Sequence, residues 1–362
     1  MSPPLPSCTR RGLNEFSKIA CQDGFDISRI EIAVFRDWYT IIGIPIFVVC
    51  PVWAHEREAG PRFLNVREEL VCLMALEVKS NRQMNKRQEG RLGPLIDYHL
   101  HSHFSPDGLS TIDEQCERAA ALGFREVCFA DHFDFEPRGG HWYGFLDYER
   151  YIEAISRAKA KWQGRLMIRK GIELDFQSHY GDQVRDFLAG KEFDFVLGSI
   201  HWVDRLSLVS ELYEGRSMEE AYGRYFEEAH GAAKTGLYDV IAHLDYIKRY
   251  AFQVYGKFDF FSRFYDQIEA ILKVMVENGT GLEINTSGLR GELGETLPGP
   301  GIVKLYRELG GEIVTIGSDA HCTVDLGSGI AEALALLQTV GFDYVAVFHK
   351  REPKFLRIET VA

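Results

Sequence analysis

The stretch Ile96-Asp97-Tyr98-His99-Leu100-His101-Ser102-His103-Phe104-Ser105-Pro106-Asp107 sets the frame for the rest of the chain. A short apolar run leads into His99 and His101, and in an extended strand residues two apart point to the same side. Both imidazoles can then face one metal ion. Six residues beyond His101, past a Ser-Pro turn signal, Asp107 offers an oxygen ligand able to curl back over the same pocket. A His-x-His pair in a strand is a weak signal alone, so its meaning rests on what the later strands carry.

From Leu95 onward, apolar runs of strand length alternate with amphipathic stretches of helical length, the pattern of βα units around a largely parallel sheet. Strands are expected over 95–101, 126–132, 166–174, 194–201, 238–243, 281–286 and 312–318, with a short further strand at 344–348. Helices are expected over 112–123, 147–163, 180–189, 218–234, 259–278, 299–309 and 326–340, the first opened by a Thr111/Glu114 capping box. Successive units with right-handed crossovers close into an α/β barrel, whose chemistry gathers where the strands run out into loops.

The ionisable residues follow that rule. His99, His101 and Asp107 follow the first strand, Asp131 and His132 the second, and Glu173 sits in the third. The fourth ends at His201, the fifth at His243, the sixth at Asn285-Thr286-Ser287 and the seventh at Asp319-Ala320-His321. Six of the twelve histidines therefore fall on strand ends beside three carboxylates, a costly convergence unless cations compensate the desolvation. Imidazole and carboxylate donors without thiolates suit Zn²⁺, Mn²⁺ or Fe²⁺, and nine candidate ligands are enough for two or three ions. Glu173, with two oxygens, is the natural bridge. Two cations flanking a water would ready it for attack on a phosphate ester. Asp131 and Asp245 are expected to orient imidazoles from behind, as are Asp134 and Asp175, while Trp142, Tyr143 and Trp202 could pack on a substrate ring.

Together, His99-Leu-His101, Asp131-His132, Gly171-Ile-Glu173, Gly198-Ser-Ile-His201, His243-Leu-Asp245, Glu283-Ile-Asn-Thr-Ser287 and Gly317-Ser-Asp-Ala-His321 resemble the motifs of the polymerase and histidinol phosphatase (PHP) superfamily, in its histidinol-phosphate phosphatase branch. The resemblance covers about 95 to 358 and implies a distorted seven-stranded (β/α) barrel, TIM-like in character, with a trinuclear metal site. It further implies hydrolysis of L-histidinol phosphate to L-histidinol and phosphate in histidine biosynthesis. Carried over, the match puts His99, His101, Glu173 and Asp319 on a first ion, Glu173, His201 and His243 near a second, and Asp107, His132 and His321 at a third. Asp107 takes a place that some members give to histidine. Glu173, His201 and Asp319 become the catalytic core, and Arg249 and Arg290, with Lys248 third, the groups that hold the phosphate. Alternatives are a PHP-type phosphoesterase for another small phosphate ester or a nucleotide, and a non-catalytic PHP module.

Composition bounds the rest. With 46% hydrophobic and 26% charged residues over 362 positions, the chain has ample material for a core. A net charge of -12 argues against affinity for nucleic-acid backbone while leaving a small anionic substrate possible in a metal-lined pocket. Seven cysteines with no Cys-x-x-Cys pair read as reduced thiols of a cytoplasmic protein. The apolar run 39–53 is too short and too proline-broken for a membrane span. Residues 1–90 show no strand-helix alternation and read as an extension, disordered or upstream of a true start at Met84, rather than an accessory domain. Oligomeric state is not legible.

Overall fold

The computed structural model describes residues 95–358; the expectations for 1–90, with Met84 and the run 39–53, lie outside the described residues. From the N-terminal side, β1 (Ile96–Leu100), α1 (Ile112–Leu122), β2 (Glu126–Phe129) and the two-residue β3 (His132–Phe133) lead to α2 (Tyr148–Lys161), β4 (Met167–Asp175) and α3 (Gly181–Leu188). Next come β5 (Phe195–Ser199), the small hairpin β6 (Trp202–Val203) and β7 (Leu206–Ser207), α4 (Met218–Thr235), β8 (Val240–Ile241), and α5 (Lys248–Tyr255), α6 (Phe260–Arg263) and α7 (Tyr265–Asn278). The chain finishes with β9 (Gly281–Asn285), α8 (Pro300–Glu308), β10 (Val314–Gly317), α9 (Ile330–Thr339) and a hairpin of β11 (Tyr344–His349) and β12 (Glu352–Arg357).

Seven strands pair in parallel in the order β1-β2-β4-β5-β8-β9-β10. The ends of that sheet meet. Leu100 bridges Ala320, the His101 N–H donates to Ala320 O at 3.0 Å, and the Asp319 N–H donates to His99 O at 2.8 Å, giving a nearly closed barrel. Every residue of β1, β2, β5, β9 and β10 is buried, the polar Asp97, His99, Glu126, Glu283 and Asn285 among them, so these strands are covered on both faces. Helices cover the outside, and α1 and α4 open on complete capping boxes, Thr111/Glu114 and Ser217/Glu220. Beneath the strand N-termini, β11 stoppers the barrel: Phe348 lies 5.0 Å from Phe195, and the Tyr98 hydroxyl accepts from Phe348 N at 2.8 Å while donating to Glu126.

The seven expected strands and most helices stand where the pattern puts them, with four corrections. The helix expected over 259–278 breaks at Phe264, whose φ of -112° and ψ of 25° leave the helical region, so that Phe260 and Phe264 both reach Tyr222. The helix expected from 326 starts at Ile330, because Gly329 holds a left-handed φ of 78° as its cap. Helix α5 stands where a loop was expected. β12 extends the terminal strand into a hairpin that its mostly exposed side chains conceal. Among the described residues no helix is long and apolar enough to cross a membrane.

Candidate metal centre

The strand C-termini converge on one buried pocket, and local features of the sequence seat each ligand. Asp97, facing away from the pocket on β1, accepts from Ser318 N at 2.8 Å and from Gly327 N at 3.1 Å, so a buried carboxylate locks the end of β10 against β1. Burial pushes its pKa up to about 6, although the N–H groups of Ser318, His99 and Gly327 pull the other way. Gly317 allows β10 to approach closely: a Cβ there would stand 2.3 Å from His99 Cβ and 2.5 Å from Glu283 Oε1. His243 and Asp319 both adopt positive φ, 23° and 55°, uncommon for residues other than glycine and consistent with side chains aimed by the site rather than by the local backbone.

Glu173 lies at the middle of the ligand set. Its Oε2 is 3.2 Å from His99 Nε2, 3.5 Å from His101 Nε2 and 2.8 Å from His132 Nδ1. Its Oε1 is 3.0 Å from His243 Nε2 and 3.5 Å from His201 Nε2. Asp319 Oδ1 adds contacts of 3.3 Å to His101 Nε2 and 3.8 Å to His99 Nε2. At the mouth, Asp107 reaches His321 Nε2 at 3.0 Å and His132 Nε2 at 3.9 Å. All nine expected ligands therefore share one centre.

Three triads bring their donor atoms within 4.8 Å of one another: His99, His101 and Asp319; His132, Glu173 and His201; and His101, His132 and His321. The first keeps to the expected division, whereas the third takes in His101, expected on the first ion, and Asp107 joins it through its contacts with His321 and His132. In the second, His132 joins through Nδ1, and His243 stands against the same carboxylate. The donor set fits divalent ions on a direct observation. His99 Nε2, His101 Nε2, His132 Nδ1, Glu173 Oε2 and His321 Nε2 are buried without a hydrogen bond of good geometry among the described residues, a cost that a shared cation removes. Electrostatics agree. Burial opposes ionisation of Glu173, yet His99, His132 and His201 outweigh it and hold the carboxyl well below its usual range. Burial likewise opposes charge on His99, which Glu283, Glu173 and Asp319 push well above its ordinary value. His101 goes the other way, driven well down by burial and by His321 and His132.

Behind the ligands sits a shell that the sequence reading placed only in part. His99 Nδ1–H donates to Glu283 Oε1 at 2.6 Å, and the same carboxylate accepts from the His243 N–H at 3.0 Å. Glu283 was quoted in a motif with no role attached, and its place two residues before Asn285 on a fully buried strand was the signal available. Asp131 works through Ser105, as described below. Asp134 Oδ1 lies 3.7 Å from His201 Nδ1, and Asp175 accepts from the His201 N–H at 2.7 Å. Asp245 departs from expectation: it orients no imidazole and instead pairs with Lys248 Nζ at 2.6 Å and caps Gly299 N at 3.0 Å.

Lys248, expected to hold phosphate, has its buried ammonium paired with Asp245 and, at 2.7 Å, with Glu295. Arg249 faces the centre. Its guanidinium lies 5.0 Å from the Tyr246 ring, which in turn packs 4.5 Å from His243, and it donates to Ser287 Oγ. Arg290 donates to Ser318 O at 2.7 Å and Asp319 O at 3.2 Å, bracing the strained backbone of a ligand. At the rim, Trp142 approaches His132 edge-on at 5.4 Å, Trp202 donates to Asp134 at 3.2 Å, and Tyr143 is exposed.

The sequence profile of the PHP domain matches residues 97–287. A probable histidinol-phosphatase of Thermotoga maritima is 34% identical over 257 residues, covering 71% of this chain and 97% of that protein. A histidinol-phosphatase of Lactococcus lactis is 28% identical, over 70% of this chain and 94% of its own. The crystal structure of histidinol phosphate phosphatase from Lactococcus lactis, complexed with zinc, L-histidinol and phosphate, superposes with a TM-score of 0.64 at 25% identity, covering 72% of this chain and 99% of that one. Barrel order, the ligand-bearing strand ends and these similarities converge on one assignment: the chain belongs to the PHP domain family.

Proposed function

We propose that the chain is a metal-dependent phosphomonoesterase that hydrolyses L-histidinol phosphate to L-histidinol and phosphate. The observation that carries this reading is the complete set of nine donors, Glu173 and the eight gathered about it, in a chain that aligns with histidinol-phosphatases over nearly their whole length. Divalent ions bound there, two or three of them and zinc among the candidates, would neutralise the transferring phosphoryl group and make water a better nucleophile.

The chain's own residues do the rest. Glu173, His99, His101 and Asp319 form the deepest part of the pocket, from which bulk water is excluded. His201 and His243 face the other oxygen of Glu173, and Asp107, His132 and His321 stand nearest the mouth. Arg249 supplies a guanidinium to the phosphoryl oxygens, with Arg290 adding positive charge while holding Asp319 in place. Asp134 and Glu283 keep the imidazoles of His201 and His99 in fixed orientations. Every group that this reading uses lies within residues 95–358.

Phosphate release by the purified chain, supplied with Zn²⁺ or Mn²⁺, tests the reading across a panel of small phosphomonoesters that includes nucleotides. Histidinol phosphate should show the highest kcat/KM. Efficient cleavage of other esters with none of histidinol phosphate would overturn the substrate assignment.

A further inference from the structure

The groups that orient the imidazoles differ in kind. His99 meets a carboxylate directly, whereas His101 meets one only through a hydroxyl. Ser105 Oγ lies 2.9 Å from His101 Nδ1, 2.8 Å from Asp131 Oδ1 and 3.0 Å from the backbone nitrogen of His132. All four residues are buried. We propose that Ser105 is a positioning residue of the centre, fixing His101 as its Nδ1–H tautomer and tying the ligand-bearing ends of β1 and β3 together.

The assignment follows from counting protons. A serine hydroxyl has one proton to give and two lone pairs to receive with. Asp131 is surrounded by donors: the Ser102 N–H at 2.6 Å on Oδ1 and the Ser102 hydroxyl at 2.9 Å on Oδ2, besides Ser105 itself. It acts as an acceptor throughout, so the Ser105 proton goes to Asp131. The backbone N–H of His132 can only donate, and it takes one lone pair. A single lone pair remains for His101, whose Nδ1 must therefore carry the proton. Nε2 is left with its own lone pair free, and it is the atom that faces Glu173 Oε2 at 3.5 Å and Asp319 Oδ1 at 3.3 Å. A nitrogen ligand needs that proton placement, and the opposite tautomer would present N–H to a cation.

The same hydroxyl has a second effect. By holding the His132 backbone it couples the donor that joins Glu173 and His201 to the donor that joins His99 and Asp319. Removing it leaves the His132 N–H short of an acceptor, and His101 becomes free to rotate or exchange its proton between nitrogens. Ser105 touches neither substrate nor reacting atoms in this account and acts only through the ligands. Losing a group of this kind weakens ion binding by about 10- to 100-fold.

The inference rests on the metal-binding reading above. Its test is a Zn²⁺ titration of the full chain in competition with a chelating dye, on the wild type, Ser105→Ala and Ser105→Thr. Ser105→Ala should bind zinc about 10- to 100-fold more weakly, with kcat at saturating zinc changed less than the zinc requirement, and Ser105→Thr should restore binding. Unchanged affinity in Ser105→Ala, or affinity as weak in Ser105→Thr as in Ser105→Ala, would overturn the proposal while leaving the metal centre standing. A wild type without affinity for zinc would bring down both. A second measurement needs no variant: nitrogen-15 NMR of the zinc-loaded wild type should find the His101 proton on Nδ1, and a proton on Nε2 or zinc on Nδ1 refutes the assignment.

Discussion

Replacing Glu173 by Gln keeps the side chain's shape and removes one negative charge where five imidazoles meet. The two carboxylate oxygens lie between 2.8 and 3.5 Å from ring nitrogens of His99, His101, His132, His201 and His243, with no exposure to solvent. A pair of unit charges about 4 Å apart is worth about 4 kcal/mol at an effective dielectric of about 20, and a dication doubles that. Relaxation and water entry taking half leaves about 4 kcal/mol, or about three decades in ion affinity. The amide also turns an NH₂ toward nitrogens whose lone pairs the ions require. Metal per chain by mass spectrometry and phosphate release from histidinol phosphate should both collapse, with the circular dichroism spectrum intact. His230→Ala, on α4 and outside the ligand set, should change neither. Retention of metal and turnover within about tenfold of wild type in Glu173→Gln would refute the placement of the centre.

Glu283→Gln should weaken ion binding by about 10- to 100-fold through His99, and a dye-competition titration giving wild-type affinity would deny it that role. Lys248→Met strands Asp245 as a buried charge and should cost about 3–5 kcal/mol of stability without raising KM; a raised KM at unchanged Tm would return Lys248 to the phosphate. Burial raises the pKa of Asp194, but the Lys170 N–H and the Lys159 ammonium outweigh it and hold it down to about 2, so its contribution is complete above its unfolded value of 3.8 and is lost as pH falls through about 2. Asp194→Asn should therefore be less stable than wild type by about 2 kcal/mol at neutral pH and converge with it near pH 2, and parallel acid-unfolding curves would contradict this. A chain beginning at Met84 should bind its metals and turn over histidinol phosphate like the full chain, and a large fall in turnover would show that 1–84 contribute to the site.

The barrel was legible because short strand-type segments, such as Phe195-Val196-Leu197 or the Leu282 and Ile284 pair, alternate with amphipathic stretches of helical length. The ligand set was legible because chemistry in such a barrel is confined to one end, which turned scattered histidines into a list ordered by strand. What escaped depended on length or on direction. The hairpin of Trp202–Val203 with Leu206–Ser207 is too short to leave a periodic trace, and Glu352–Arg357 is exposed along most of its length and carries no alternating apolar pattern. Helix α5, which carries Lys248 and Arg249, is only eight residues long and opens without a side-chain cap, so it leaves no start signal in the sequence. Which way a side chain turns is a matter of rotamers and neighbours. No spacing rule foretold that Asp245 would take Lys248 while Glu283 took His99, or that a serine from the turn signal would stand between His101 and Asp131.

The seam that closes the barrel gives the ions a second meaning. His99 stands on its first strand and His101 just past it, and Asp319 and His321 follow its last; the lock between them, Asp97 to Ser318, joins residues 221 positions apart in the chain. Contacts of such separation form late in folding, since the intervening chain must be ordered before they repay the loop they close. An ion shared across the seam binds the closed barrel and has no comparable site on the open one, so its binding free energy is added to closure. During synthesis no emerging chain can hold that ion until the last barrel strand has left the ribosome. Acquisition of that one ion would then mark the completion of the fold, and depletion of the metal should lower the amount of folded protein as well as its activity.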